Sequence, residues 1–415
     1  MTEQHNLALH QPLILPCGAV LKNRLGKSAM SEALGTRDNR VTPKLARLYR
    51  TWAEGGTGLL ITGNVMIDRR ALGEPNNVVL EDDRDMAALR TWARDGTRDG
   101  AHLWMQLNHP GKQSPVVLSR QPVAPSAIGF SNPALKRFFA VPRALTGDEI
   151  SGIITRFGTS AALAREAGFT GVQIHGAHGY LVSQFLSPLH NQRTDEWGGD
   201  LENRMRFVCE VYRAIRAQVG DDFPVSIKLN SADFQRGGFT EEDSMQVVQR
   251  LGELGMDLIE ISGGTYEKPR MAGKDAKQST RAREAYFLDY AEQVRQRVST
   301  PLMVTGGFRT TEGMQAALAS GATDVVGLAR PLVTEPALSE AVLAGEAVTS
   351  NVKPIRTGIK PVDDMAMMEV SWYTLQLERI GRGKRPQPDA SGLGSLLKVL
   401  GVVSWRRLRM GRMRA

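Results

Sequence analysis

The sequence predicts an α/β chain closed into a (β/α)8 TIM barrel, with an N-terminal cap before the first strand and a basic C-terminal tail. Three observations carry this. Short apolar runs alternate with longer amphipathic stretches from residue 25 onward, eight strand–helix units in all. No Gly-x-Gly-x-x-Gly follows the first run, which counts against the rival open doubly wound sheet. The run richest in chemistry, Ile174-His175-Gly176-Ala177-His178-Gly179-Tyr180, comes directly after the fourth apolar segment, where a barrel carries its functional loops.

The predicted strands are 25–31, 58–63, 102–107, 171–175, 225–230, 258–262, 302–305 and 324–327. Amphipathic helices are expected at 43–54, 83–98, 146–167, 201–218, 241–254, 285–298 and 311–320, and a last long helix at about 361–380. Thr146 followed by Glu149 makes a capping box, and Thr240 before two glutamates starts another helix. Gly168, Gly255 and Gly321 stand where helices should stop. Residues 113–145, rich in Pro and Ser, are too long for a routine connection and are expected to form a lid. The glycine-dotted segment 263–280 reads as a second mobile loop.

Composition narrows the class. The 415 residues are 41% hydrophobic and 23% charged, as in a globular protein with ample core. No apolar stretch is long enough to span a bilayer, and the N-terminus lacks a secretory pattern. Two cysteines, Cys17 and Cys209, are too few for an iron–sulfur cluster or a zinc site and suggest a reducing compartment, so the cytoplasm is expected. Residues 381–415 hold nine Lys/Arg and one Asp, which accounts for the whole net charge of +8. Residues 1–380 are therefore neutral; the barrel is expected over 1–386, and nucleic acid is not an expected partner. The tail at 387–415 joins apolar Leu396, Leu397, Val399 and Leu400 to Trp405-Arg406-Arg407. It reads either as a short interfacial helix giving weak membrane association or as a surface-docked terminus.

The site chemistry follows strand by strand. His175 and His178 aim two N–H donors at one spot with the Tyr180 hydroxyl nearby, which suits a reaction placing negative charge on an oxygen while a neighbouring carbon takes a proton. A metal reading of this His-x-x-His lacks a third ligand, and no acid–base–Ser set accompanies Ser31. Gly306-Gly307-Phe308-Arg309 and Gly327-Leu328-Ala329-Arg330 end strands seven and eight, where barrels commonly bind phosphate. Lys228 interrupts an apolar alternation on strand five and needs a partner, either an anionic ring or a carboxylate. Gln106 on strand three offers an amide that can donate and accept, which suits a heterocycle edge.

These motifs resemble the old yellow enzyme family, FMN-dependent NADH:flavin oxidoreductases and ene-reductases, over roughly residues 10–385. The most specific stretch runs from His175 through Phe185-Leu186-Ser187-Pro188 and Asn191-Gln192-Arg193-Thr194-Asp195-Glu196-Trp197-Gly198-Gly199 to Glu202-Asn203-Arg204. Lys22-Asn23-Arg24 and Gln106-Leu107-Asn108-His109-Pro110-Gly111-Lys112 support it. The resemblance implies FMN across the barrel mouth, lined by Ser28, Ala29, Met30, Ser31 and Gly63. Gln106 would meet the pyrimidine edge, Lys228 the N1 and C2 carbonyl region, and Gly306, Gly307, Ala329 and Arg330 the phosphate. NADH or NADPH would reduce FMN. An α,β-unsaturated carbonyl compound would then receive hydride from N5 at Cβ and a proton from Tyr180 at Cα, with its oxygen on His175 and His178.

Four positions depart from the family pattern. Ser31 stands where subgroups have Cys or Thr, Ala33 where one has a substrate-contacting Tyr, Ala29 for Pro, and Lys228 for Arg. A point charge thus replaces a planar fork at residue 228. Relatives with iron–sulfur clusters need more cysteines, so a single barrel with FMN as its one redox centre is expected. The alternatives are an NAD(P)H oxidase or flavin reductase without a dedicated alkene substrate, and a flavin-free phosphate-binding barrel.

Overall fold

The computed structural model describes residues 8–265, 267, 284–358, 367–395 and 397. Eight parallel strands form its centre: β1 (Leu25–Lys27), β2 (Leu59–Ile61), β3 (His102–Asn108), β4 (Gly171–Gly176), β5 (Val225–Asn230), β6 (Leu258–Ser262), β7 (Leu302–Thr305) and β8 (Val325–Leu328). Each pairs with the next and β8 pairs with β1, so the sheet closes into the predicted (β/α)8 barrel. Around it lie α1 (Pro43–Glu54), α2 (Met86–Gly96), α3 (Gly147–Glu166), α4 (Leu201–Val219), α5 (Glu241–Glu253), α6 (Leu288–Arg295) and α7 (Thr311–Ala319). A later helix, Met367–Gly381, packs on α1.

Local signals set the helix ends. Thr146 and Glu149 exchange both capping-box bonds at α3, and Thr240 does the same with Asp243 at α5. Pro43 opens α1 at a position whose N–H would lack a partner anyway. Gly168, Gly255 and Gly321 take φ of 92°, 90° and 73° just beyond their helices. The first strand is shorter than predicted. Ser28 still donates to the Leu328 carbonyl at 2.8 Å, but residues 29–31 leave the ladder and form the rim. The predicted lid contains a short strand pair, Val123–Ala124 with Arg143–Ala144, and a helical turn at Pro133–Lys136. Ser131 and Asn132 bind Glu267 through backbone N–H groups at 2.9 and 3.3 Å, tying the lid to the loop after β6.

Inside and outside of the barrel have different cores. At the bottom an N-terminal hairpin, Leu13–Ile14 against Val20–Leu21, inserts Leu13, Leu15 and Leu21 against Leu59, Ile61, Trp104, Leu258, Met303 and Val325. Gly171 makes room for one of these: a Cβ there would lie 2.5 Å from the Trp104 ring. The larger cluster lies between strands and helices. Apolar filling thus closes the bottom, while polar residues are gathered toward the C-terminal ends of the strands.

No described helix is long and apolar enough to cross a membrane. Residues 387–395, at the start of the predicted tail, lie near Met367–Gly381, and Trp372 donates to the Ala390 carbonyl at 2.9 Å. The remainder of the tail apart from Leu397, including Trp405, lies outside the described residues, as do 361–366 of the last predicted helix and most of the predicted loop 263–280.

Candidate active site

The turn after β4 brings His175, His178 and Tyr180 together. His178 takes a left-handed conformation, φ 62°, unusual for a residue with a side chain. Its backbone is held from both sides: its N–H donates to Asn230 Oδ1 at 3.2 Å, and Gln113 Nε2 donates to its carbonyl at 2.8 Å. The His175 and Tyr180 rings lie 4.6 Å apart, centroid to centroid.

Two residues absent from the sequence reading frame this trio. His175 Nδ1 lies 2.8 Å from Asn64 Oδ1, and Asn64 Nδ2 lies 3.5 Å from the Tyr180 hydroxyl. His175 Nε2 lies 3.2 Å from His178 Nδ1, and His178 Nε2 lies 2.8 Å from Ser262 Oγ. With Asn64 accepting from His175 Nδ1, the hydrogen-bond pattern assigns one N–H to each ring and directs that of His178 toward His175. Both imidazoles are neutral: burial, aided by His178 and the Lys228 charge, holds His175 well below its usual value. Burial and Lys228 push His178 down to about 3. The pair therefore cannot serve as a reservoir of acid near neutrality. In this arrangement His178 Nδ1–H is the donor between the rings, and His175 adds a second donor there once its proton sits on Nε2 and the Asn64 amide turns to donate to Nδ1. An oxygen entering between the rings replaces their mutual hydrogen bond. Among the described residues no group of three His, Cys, Asp or Glu can hold a metal ion.

Below lies a buried polar network. Lys228 takes a carboxylate partner: its Nζ is 2.9 Å from Glu260 Oε1 and donates to Ser28 Oγ at 2.8 Å. Glu260 also accepts from Ser28, from Thr305 Oγ1 at 2.7 Å and from Gln173 Nε2 at 2.8 Å. Gln173 in turn accepts from Gln106 Nε2 at 2.8 Å. Parallel register builds this set, pairing Gln106 with Gln173, His175 with Lys228 and Lys228 with Glu260 across neighbouring strands. Glu260 and Gln173 interrupt apolar runs on β6 and β4 as Lys228 does on β5, and that shared signal could have found them.

At the rim, Ala29, Met30 and Ser31 are half-buried, and the Ser31 hydroxyl lies against the Glu74 carboxyl, which burial raises. Gly63 permits close approach, since a Cβ there would sit 2.3 Å from the Met30 carbonyl. Its N–H is shared between Glu32 at 3.1 Å and the Tyr49 hydroxyl at 3.2 Å. Across the mouth, Gly306 and Gly307 turn through φ of 111° and 99°. Among the described residues the N–H groups of Gly306, Gly307, Ala329 and Arg330 have no backbone acceptor. Such a set of donors suits a phosphate, and a polar floor with a cation suits an anionic ring above it, so the residues present fit FMN. The Arg330 guanidinium is 3.3 Å from Glu369.

The profile of the NADH:flavin oxidoreductase / NADH oxidase family matches residues 8–347. The chain belongs to this family. It is an FMN-dependent NAD(P)H oxidoreductase of the old yellow enzyme type. It is 36% identical over 367 residues to the NADH-dependent flavin oxidoreductase iccE of Talaromyces variabilis, covering 83% of this chain and 89% of that one. It is 38% identical to the NADH-dependent flavin oxidoreductase iliE of a Neonectria species, but covers 48% of that longer protein and 84% of this one. Among solved structures, the old yellow enzyme homologue from Zymomonas mobilis matches with a TM-score of 0.70 at 26% identity, covering 86% of this chain and 99% of the other. Membership in a flavin family removes the flavin-free alternative.

The buried histidines are expected to make the folded protein less stable in acid. Burial holds His109 and His190 down to about 4, against 6.5 in an ordinary setting, and His178 to about 3. The unfolded chain takes up these protons first, so the contribution to stability is complete above pH 6.5 and is lost as pH falls toward 4. Urea midpoints are expected to drop across that window, and His109→Gln to flatten the slope. A midpoint independent of pH there would show that these imidazoles are not buried neutral.

Proposed function

We propose that the enzyme reduces the C=C bond of α,β-unsaturated carbonyl compounds. The observation that carries this reading is the contact of Tyr180 with a pair of neutral imidazoles in one turn at the mouth of the barrel. FMN, when bound, supplies the hydride at its N5, and NADH or NADPH replenishes it. His175 and His178 hold the carbonyl oxygen, which enters between the rings. With the His175 proton moved to Nε2 and the Asn64 amide turned to donate to Nδ1, and with His178 Nε2 accepting from the Ser262 hydroxyl, both rings direct an N–H at the negative charge that grows there. Tyr180 gives its proton to Cα. Gly306, Gly307, Ala329 and Arg330 hold the FMN phosphate, and Ser28, Ala29, Met30, Ser31, Gly63, Gln106 and Lys228 face or support the ring. Asn64 sets the orientation of His175 and reaches Tyr180. Two free thiols, Cys17 and Cys209, accord with the cytoplasm as the proposed location.

The test is a visible spectrum of the purified protein, followed by NADH or NADPH without oxygen and then by 2-cyclohexenone. A flavin band that bleaches and returns with the enone supports the reading. Bleaching with no return favours an NAD(P)H oxidase or flavin reductase without a dedicated alkene substrate. Asn64→Leu is expected to slow the return by about ten- to a hundredfold, since small misplacements of catalytic groups cost that much. The bleaching step should keep its rate. Equal slowing of both steps, in stopped-flow, would remove Asn64 from the site's positioning machinery.

A further inference from the structure

We infer that Glu260 sets the reduction potential of the flavin, by compensating the charge of Lys228 and by fixing which atoms Gln106 offers to the ring. The inference rests on the placement of FMN at the barrel mouth and extends it to a residue below the ring. Glu260 is a positioning residue: it acts through Lys228 and Gln106.

The electrostatic part follows from geometry. Lys228 Nζ and Glu260 Oε1 are 2.9 Å apart, with side chains 5% and 0% exposed. A ring above Lys228 therefore meets an ion pair rather than an isolated cation. The field of such a pair falls off faster than that of a single charge, so the pair favours extra negative charge on the ring less than lysine alone would. Glu260 is also equipped to stay ionised. It accepts from Lys228, Ser28, Thr305 and Gln173. Burial alone would raise its carboxyl, but the Lys228 charge and these donors hold it below its usual value.

The second part follows from the polarity of the hydrogen bonds. An ionised carboxylate can only accept, so Gln173 must turn its Nε2 toward Glu260 and its Oε1 toward Gln106. Gln106 answers with an N–H, at 2.8 Å. Its Oε1 and its second N–H remain for a ring edge, a pair that matches an adjacent N–H and C=O. One buried charge on β6 thereby determines the direction of a relay that ends on β3.

The test uses the FMN-loaded wild-type enzyme, Glu260→Gln and the double variant Glu260→Gln/Lys228→Met, with potentials measured by dye equilibration and sulfite affinity by titration. Glu260→Gln is expected to move the midpoint potential positive and to tighten sulfite binding at least tenfold. A tenfold preference for reduced over oxidised flavin corresponds to about 30 mV for a two-electron couple. The double variant, with no charge at either position, is expected to return toward the wild-type value, a reversal that structural damage would not produce. An unchanged potential in Glu260→Gln with FMN bound overturns this inference alone. A wild-type protein that takes up no FMN overturns it together with the placement of the flavin. If Glu260→Gln does not fold, Glu260→Asp, whose carboxylate retreats from Lys228 by one methylene, must shift in the same direction. No shift there also overturns the inference.

Discussion

Replacing Tyr180 by Phe is expected to slow reoxidation of the reduced enzyme by 2-cyclohexenone by about 10²–10⁴-fold, the usual contribution of a positioned general acid, with no change in reduction by NADH. The substitution is conservative in shape. Tyr180 is 4% exposed and packs on His175, and Phe keeps that ring contact while removing the hydroxyl. The neighbouring groups cannot take over the role. His178 is pushed down to about 3 and His175 well below its usual value, so neither carries a proton to give near neutral pH. The two half-reactions therefore separate. Stopped-flow measurement of each is the check, and a loss shared equally by both would withdraw Tyr180 as the proton donor.

Lys27→Met is expected to destabilise the protein by about 3–5 kcal/mol, the usual consequence of removing one partner of a buried ion pair. Lys27 faces outward from β1 into the layer beneath α1, with its side chain 0% exposed. Its Nζ donates to the Ile61 carbonyl at 2.9 Å and the Tyr49 hydroxyl at 3.1 Å, lies 3.9 Å from Glu32, and sits 4.7 Å from the Trp52 ring. Met fills a similar volume but leaves Glu32 buried without its cation. Glu32 and Tyr49 also hold the Gly63 N–H at the end of β2, so the same variant should weaken FMN retention. Lys27→Met/Glu32→Gln should recover much of the loss, because no unpaired charge remains. Urea unfolding measures both, and a single-variant loss below about 1 kcal/mol would mean that the pair is solvated in practice.

The parts of the site legible in the sequence lie within single elements. His175, His178 and Tyr180 belong to one turn, so their spacing already places them together. Thr146 and Glu149 announce the start of α3 because a capping box closes within four residues. Lys228 was visible as a residue needing a partner, yet the choice between a ring and a carboxylate was open. Glu260 settled it only when β5 and β6 came into register. Asn64 gave no signal, since an Asn after a strand is ordinary until β2 and β4 bring it against His175. Lys27 was concealed by its place at the edge of an apolar run whose outward face became apparent with α1 docked over it.

Chain order and local chemistry were enough to specify the alternation of strands and helices, their caps, and the turn that bears the two histidines and the tyrosine. These depend on short-range forces: the period of apolar residues, side-chain caps, and the conformations open to glycine. The polarity of the floor was settled by barrel closure, which pairs Gln106 with Gln173 and Lys228 with Glu260 and determines which buried charges compensate one another. Strand register and burial are long-range properties. A carboxylate's charge, an amide's orientation and an imidazole's tautomer all depend on neighbours supplied by distant segments of the chain.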